Sequence, residues 1–299
     1  MSANSPVIIW RFIDGRAGHD NQSAGLTAAL ADLLPVNVHD VDVRRLRHPL
    51  PDLFSKRFPS AQPPPDLLIG AGHRTHLPML AARRAHGGRI VVLMKPSLPV
   101  FCFDLCIIPR HDKPRRSDRI LISEGVLNRV RAGRLQRRPQ GLIVLGGPST
   151  EYRWQADSLL AQVEAIIARQ ADFDWTLATS RRTPGNMFDQ HTLPANARLV
   201  DDDRCDADWL PGQLQIAAEV WVSEDSSSLL YEALSSGARV GVIQVPRRRT
   251  GRVARGIDQL VGSGRLPAPG SLQLTASDNE PLNEALRCAS WIKEQWLNG

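Results

Sequence analysis

The chain has 299 residues, of which 42 % are hydrophobic, so it can form two domains of ordinary size or one large domain. It contains no run of about 18 apolar residues, which predicts no integral membrane segment. The first residues carry no basic stretch of the kind that opens a secretory signal, so we expect a cytoplasmic protein. The four cysteines and eight histidines are scattered, and HRTH at 73–76 lacks the spacing of a metal motif, so no metal site is predicted.

The net charge is +6, and lysine occurs at only four positions, so nearly all cationic residues are arginine. This composition fits a codon-biased genome or an anionic partner, such as a phosphorylated small molecule or an acidic lipid surface. Aromatic residues make up 5 % of the chain and do not alternate with basic ones. That pattern is unlike the stacking surfaces that bind single-stranded nucleic acid, so we predict no nucleic-acid partner.

In the first half of the chain, short apolar runs bounded by turn residues alternate with helical patterns. The predicted strands are 7–13, 36–43, 66–72, 89–95, 104–110 and 119–125. The predicted helices include 21–34 and 75–86. Strands that alternate with helices are typical of a parallel sheet covered on both faces.

A polar, basic stretch at 130–140 then suggests a linker, after which the alternation begins again. The second set of predicted strands is 141–147, 174–180, 197–202, 219–224 and 239–245, with helices at 157–170, 227–237 and 283–297. The sequence therefore predicts an α/β protein with two similar domains, 1–135 and 136–280. A C-terminal helix at 281–299 is expected to pack back on the first domain.

The stretch VSEDSSSLLYEALSSG follows the predicted strand 219–224 and begins a helix. It crowds six hydroxyl or carboxyl side chains together: Ser223, Glu224, Asp225, Ser226, Ser227 and Ser228. Ser226 or Asp225 suits the N-cap and Gly237 the end of this helix, which alone would make it an ordinary capped helix. One cap needs one side chain, however, and a free helix start favours phosphate. The carboxylate of Glu232, further along the helix, can accept hydrogen bonds from a ribose.

Two other loops of the second domain follow strands and carry polar groups. GLIVLGGPST offers Gly146 and Gly147, where backbone can approach a ligand closely, and then Ser149. TSRRTP offers Arg181 and Arg182, whose guanidinium groups can hold a diphosphate or simply face solvent.

In the first domain, IDGRAGHDNQSAGL follows the first strand and starts a helix. Asp14, His19 and Asp20 each can take a proton near neutral pH if the surroundings shift the pKa, so each is a candidate general base. The alternative is an N-capped helix with surface polar residues.

These loops, with IGAGHRT and IIPRHD, stand in an order that resembles the bacterial branch of the ELM1-like family over residues 7–246. The resemblance implies a GT-B glycosyltransferase architecture, in which two Rossmann-like domains with parallel sheets face a cleft and the second holds the nucleotide sugar. Its E-A-x-x-x-G element, which contacts ribose and diphosphate, reads Glu232, Ala233 and Gly237 here.

The leading interpretation is a metal-independent cytoplasmic glycosyltransferase that uses a nucleotide-diphosphate sugar as substrate and needs no cofactor. The basic surface would suit an acceptor at the anionic inner membrane face, as in cell-envelope synthesis. A short-chain epimerase is excluded, because Tyr152 and Tyr231 are not followed four residues later by lysine. A GT-B-type nucleotide-sugar epimerase and a non-catalytic scaffold protein remain as alternatives.

Overall fold

The computed structural model describes residues 5–46, 58–133, 138–276 and 280–297, and it divides into two compact units. Unit 1 comprises Met1–Arg129 and Glu284–Gly299, and unit 2 comprises Val130–Asn283. Each unit contains one parallel β-sheet with helices, which confirms the predicted α/β class. Among the described residues, no helix is long and apolar enough to cross a membrane.

Unit 1 has a six-stranded sheet in the order β2-β1-β3-β4-β5-β6, with every neighbouring pair parallel. The strands β1 to β6 are Val7–Ile13, Val36–Asp42, Leu67–Ala71, Arg89–Leu93, Leu105–Pro109 and Ile120–Ser123. Helix α1 spans Ala17–Leu33 and helix α2 spans His76–His86. The strands β3 and β5 are buried throughout, and β4 is buried except for Arg89 at its start, as expected for strands covered on both faces.

Unit 2 has a five-stranded sheet in the order β11-β10-β7-β8-β9, again all parallel. The strands β7 to β11 are Arg138–Val144, Asp174–Ala178, Ala197–Val200, Ala217–Ser223 and Arg239–Ile243. The helices α3 to α6 are Ala156–Arg169, Trp209–Ile216, Ser227–Ser236 and Arg252–Gly262. Counted from β7 as strand 1, this order is 3-2-1-4-5, that of the first five strands of a Rossmann sheet.

The last helix, α7 at Glu284–Ile292, belongs to unit 1, where it packs beside α1. Its residues Cys288, Ala289 and Ile292 are fully buried in the same cluster as Leu26 and Leu30 of α1. The Glu284 carboxylate also accepts the backbone N–H of residue 124, just after β6, at 2.8 Å. One face of the first sheet is therefore closed by the two ends of the chain together. A π-helical turn, Lys293–Leu297, follows α7.

The boundary between the two units, after Arg129, falls at the start of the predicted linker 130–140, but the described ends of that stretch are part of unit 2 and do not form a free linker. Val130 is buried, and the N–H of Gly133 donates to the carbonyl of Ser236 at 3.2 Å. Strand β7 already begins at Arg138, three residues before the predicted start of that strand. Residues 134–137 lie outside the described ones. The polar composition misled the prediction because β7 opens with Arg-Pro-Gln and becomes apolar only from Leu142.

Each sheet has one switch point, where successive strands along the chain are added on opposite sides. The loops that follow the strands on the two sides of this point lie next to each other. In unit 1 the chain leaves β1 for β2 on one side and later returns to β3 on the other. In unit 2, β8 and β9 lie on one side of β7, and β10 and β11 on the other. In open α/β sheets ligands bind at the carboxyl ends of the strands beside such a switch point.

Candidate functional site

In unit 2 the loops that follow β7 and β10 are joined by hydrogen bonds. The hydroxyl of Ser223, fully buried, accepts the N–H of Gly146 at 2.7 Å and donates to Oδ1 of Asp225 at 2.7 Å. Oδ2 of Asp225, also buried, accepts the N–H of Gly147 at 2.9 Å. A Cβ at Gly146 would collide with this carboxylate, and one at Gly147 would collide with the backbone carbonyl of Arg182. The missing side chains of these two glycines therefore let other groups of the protein lie close to the backbone.

The loop after β8 completes this arrangement. Nη2 of Arg182 donates to Oδ2 of Asp225 at 2.8 Å, and Nη1 donates to the carbonyl of Gly147 at 2.9 Å. Oγ of Ser180 donates to the carbonyl of Gly146 at 2.8 Å. Ser223, Asp225 and Arg182, which the sequence offers as ligand contacts, therefore hold the Gly146–Gly147 turn in place. The Arg182 side chain, 42 % exposed, keeps one side open to solvent.

Ser149 has a similar local role. Its Oγ accepts the N–H of Glu151 at 3.3 Å and that of Tyr152 at 3.2 Å, so it shapes the loop after β7. The Glu151 carboxylate in turn accepts N–H groups from the first turn of α6, including that of Arg252 at 2.9 Å and that of Val253 at 3.1 Å. The start of α6 is consequently capped by an acid about a hundred residues earlier in the chain.

The start of α5 differs from that of α6, because no side chain among the described residues caps it. Ser226 is the N-cap, and its side chain makes no capping hydrogen bond. Within the described part of the chain, the N–H groups of Ser227, Ser228 and Leu229 also have no acceptor. Such N–H groups and the helix dipole favour an anion. The helix ends at Gly237 with φ of 74°, as predicted from glycine's tolerance of the left-handed region.

Two further predicted residues lie on the same elements. Arg181 follows β8, is exposed, and makes no hydrogen bond or ion pair with any described residue. Glu232 lies in α5, five residues after its start, and is 9 % exposed. The two adjacent arginines therefore differ: Arg182 donates hydrogen bonds to Asp225 and Gly147, whereas Arg181 has no partner among the described residues and can contact a ligand.

An ionic network around the buried Glu224 adjoins the turn after β10. Arg247 donates to Oε1 of Glu224 at 2.6 Å and pairs with Asp258 of α6 at 2.7 Å. Burial raises the pKa of Glu224 even though Arg247 acts in the opposite direction. Residues 152 and 247 also form an isolated antiparallel bridge. This role of Arg247 could not be predicted, because the residue stands in a run of three arginines, 247–249.

In unit 1 the loop after β1 brings two of the three candidate bases into contact. Nδ1 of His19 lies 2.9 Å from Oδ2 of Asp14, whose side chain is fully buried. The ring of His19 lies where a Cβ of Gly72, after β3, would collide with it. His19 therefore sits at the switch point of the first sheet, with Nδ1 held by a carboxylate and Nε2 without a partner among the described residues. The GxG after β3 was the sequence signal for this packing.

Asp20, the third candidate, supports the same loop. Its Oδ1 accepts the N–H of Asp14 at 3.3 Å, while Oδ1 of Asp14 accepts the N–H of Arg16 at 3.1 Å. Burial, assisted by the nearby charge of Asp14, raises the pKa of Asp20. Among the described residues no group of three or more His, Cys, Asp or Glu side chains could hold a metal ion.

The family profile described as "Mitochondrial fission ELM1" matches residues 17–296, nearly the whole chain. The chain belongs to the mitochondrial fission ELM1 family. This ELM1-family protein is similar to an uncharacterized protein of Rickettsia prowazekii, with 24 % identity over 95 % of this chain and 97 % of the other.

Solved structures with the same fold are more distant in sequence. The ELM1-family chain is similar to the UDP-GlcNAc 2-epimerase of Neisseria meningitidis bound to UDP-GlcNAc, with a TM-score of 0.58 at 10 % identity, covering 99 % of this chain and 100 % of that one. It is also similar to the glycotransferase of kitacinnamycin, with a TM-score of 0.52 at 12 % identity, covering 97 % and 99 %. These similarities confirm an α/β fold that matches GT-B glycosyltransferases and epimerases.

Proposed function

We propose that this ELM1-family protein is a metal-independent glycosyltransferase that takes its sugar from a nucleotide diphosphate. The observation that carries the proposal is the start of α5 at the switch point of the second sheet, which no described side chain caps. The exposed Arg181 stands next in the chain to Arg182, which contacts Asp225 just before this helix. Three unpaired N–H groups and a guanidinium match the charge and hydrogen-bonding needs of a diphosphate. The same groups would stabilise the diphosphate as it leaves, a role that does not require a metal ion.

In this proposal unit 2 binds the donor and unit 1 supplies the base. Ser226, Ser227 and Arg181 hold the diphosphate, and Glu232 accepts hydrogen bonds from the ribose. Ser223, Asp225 and Arg182 act indirectly, because their polar atoms hold the Gly146–Gly147 turn that borders the donor.

The His19–Asp14 pair provides the base in an inverting transfer. Asp14 holds the proton on Nδ1, which leaves Nε2 of His19 as the acceptor of a proton. The acceptor hydroxyl gives its proton to Nε2 while its oxygen bonds to the anomeric carbon of the sugar. The bond from that carbon to the diphosphate breaks, and the nucleoside diphosphate departs with the bonding electrons. Asp20 supports the loop rather than reacting, since its carboxylate accepts the N–H of Asp14.

The acceptor we propose is a cell-envelope glycoconjugate precursor at the cytoplasmic face of the inner membrane. Support comes from the net charge of +6, which favours an anionic surface. The protein would then be cytoplasmic and peripheral to that membrane.

The first experiment is a thermal-unfolding panel with UDP, ADP, GDP, CMP and their sugars. A ligand at about 100 times its Kd adds roughly 2.7 kcal/mol to stability, which corresponds to a rise in Tm of roughly 5–10 °C for a unit of this size. Glu232→Gln, which keeps the side-chain volume, is expected to weaken the best ligand at least tenfold. Glu164→Gln on the exposed side of α3 is the matched control and should not change binding. A well-folded protein that responds to no nucleotide would favour the scaffold alternative.

The second experiment separates the base from the donor site. His19→Ala is expected to lower transfer by a factor of about 10²–10⁴ and to leave nucleotide binding unchanged. Incubation of the donor alone distinguishes transfer from epimerisation: an epimerase changes the sugar without any acceptor, whereas a transferase releases nucleoside diphosphate only when an acceptor is present. Full activity in His19→Ala would rule out this base.

A further inference from the structure

Unit 1 carries one large aromatic side chain that the fold does not cover. Phe101 lies on a short 3₁₀ turn, Val100–Cys102, between β4 and β5, and 74 % of it is exposed. The neighbouring Phe103, two residues later, is fully buried and anchors the turn in the core. Among the described residues the other exposed large hydrophobic side chain is Val38, at 40 %, on the edge strand β2. A single exposed aromatic is ordinary on a protein surface, so the charges around Phe101 decide whether it marks a contact.

Two arginines hold this turn and place positive charge beside Phe101. Nη2 of Arg83 donates to the carbonyl of Cys102 at 3.1 Å, and Nη1 of Arg119 donates to the carbonyl of Phe103 at 2.7 Å. Arg83 also pairs with Asp104 at 3.1 Å, so its charge is largely offset. Arg119 is exposed and is paired with no acidic residue of the described chain. Positive charge therefore lies against the backbone next to the exposed ring.

Arg119 ends an exposed basic segment, KPRRSDR at 113–119, that follows β5. Lys113, Arg115 and Arg116 in this segment are exposed and make no ion pair with described residues. Arg116 is three residues from Arg119, and three extended residues span at most about 11 Å. This distance is comparable to the Debye length of about 8–10 Å at physiological salt, so these charges act together on one anionic surface.

We propose that Phe101 and the basic residues Arg115, Arg116 and Arg119 form a docking surface for an anionic lipid membrane. The aromatic ring inserts at the level of the lipid headgroups, and the guanidinium groups pair with lipid phosphates. An exposed aromatic flanked by unpaired cations fits a lipid surface, which offers apolar and anionic groups side by side. An acidic protein partner would match the arginines and leave the ring in water. The surface does not involve the donor site, so vesicle binding measured without nucleotide can fail or succeed independently of the proposed function.

The test is co-sedimentation of the full chain with vesicles of phosphatidylcholine alone or mixed with phosphatidylglycerol. We expect binding only to the anionic vesicles, with an affinity that falls as salt rises. Each basic residue near such a surface contributes about fivefold to affinity, so Arg115→Ala/Arg116→Ala is expected to bind about 25-fold more weakly. Phe101→Glu is expected to lose at least about tenfold, from the lost burial of the ring.

Matched controls keep the test specific. Val38→Glu places an acid at the other exposed hydrophobic position, and Arg204→Ala removes an exposed arginine of unit 2 from an acidic neighbourhood. Both should bind vesicles like the wild type, and all variants should keep the wild-type circular dichroism spectrum. Absence of binding to anionic vesicles would overturn the proposal. So would a Phe101→Glu variant that binds vesicles normally but changes molecular mass in light scattering, since that result would assign the ring to self-association.

Discussion

The Asp225 carboxylate holds together the two loops of the candidate donor site, so its removal should cost unit 2 much of its stability. In Asp225→Ala, the N–H of Gly147 and the hydroxyl of Ser223 lose the acceptors that lie 2.9 and 2.7 Å away. Each buried polar group left without a partner costs about 1–3 kcal/mol. The loss of the ion pair with Arg182 adds little to this cost, because the Arg182 side chain is 42 % exposed and can turn to solvent. We therefore expect a loss of about 4 kcal/mol in the free energy of unfolding.

This loss is large compared with the 5–15 kcal/mol that is typical of a whole domain. Asp225→Asn keeps the shape and one acceptor oxygen, so we expect about half of the loss. Arg182→Ala leaves the buried Asp225 carboxylate without its cation, but the N–H of Gly147 and the hydroxyl of Ser223 still donate to it and water can enter where the half-exposed guanidinium was. We expect this variant to lose about 1–2 kcal/mol, less than Asp225→Ala. Urea unfolding followed by tryptophan fluorescence measures these differences, since Trp175 and Trp221 are buried in unit 2. If Arg182→Ala proved as costly as Asp225→Ala, the carboxylate would not be the group that holds the loops.

Two further predictions concern a helix cap and a buried histidine. Glu151→Ala should lower the stability of unit 2 by about 1–2 kcal/mol and speed amide hydrogen exchange at Arg252, Val253 and Ala254, whose N–H groups the carboxylate accepts; unchanged exchange there would contradict the cap. Burial lowers the pKa of His76 to about 4 from 6.5, so the unfolded chain binds the extra proton between these values. The stability of unit 1 should therefore fall by up to about 3 kcal/mol as pH drops from 6.5 to 4. His76→Gln should remove this fall in urea titrations at several pH values, and a variant with the wild-type slope would refute the assignment.

The strands were predictable because each buried one is an apolar run between turn residues. Helices α4 and α6 were not predicted, and the sequence explains why. Helix α6 reads RVARGIDQLVG, with basic residues and a glycine inside it, and its first turn depends on Glu151 from the loop after β7. A cap supplied from so far along the chain leaves no local signal at the helix start, although the buried Ala254, Ile257 and Leu260 recur at helical spacing that the prediction did not use. Helix α4 is eight residues long and contains Pro and Gly, which are typical of loops.

In the candidate site, too, features set by neighbouring residues were predictable, and contacts between distant parts of the chain were not. The crowded hydroxyls before α5, its glycine end and the glycine turn after β7 could be recognised from their order. The sequence could not tell which of these polar groups the protein satisfies itself. Arg181 and Arg182 are chemically identical neighbours, and only the position of Asp225, in the turn after β10, decides which of them forms an ion pair.

The order in which the ribosome delivers the chain has a consequence for unit 1. Its first 129 residues emerge early, but the helix that covers Leu26 and Leu30 is made only after residue 283. All of unit 2 is synthesised in between and has every one of its own residues before that helix is made. In the nascent chain, one apolar face of the first sheet therefore stays partly uncovered until α7 has emerged. Chaperone binding to nascent chains should concentrate on that face, and release should coincide with the arrival of Ile292.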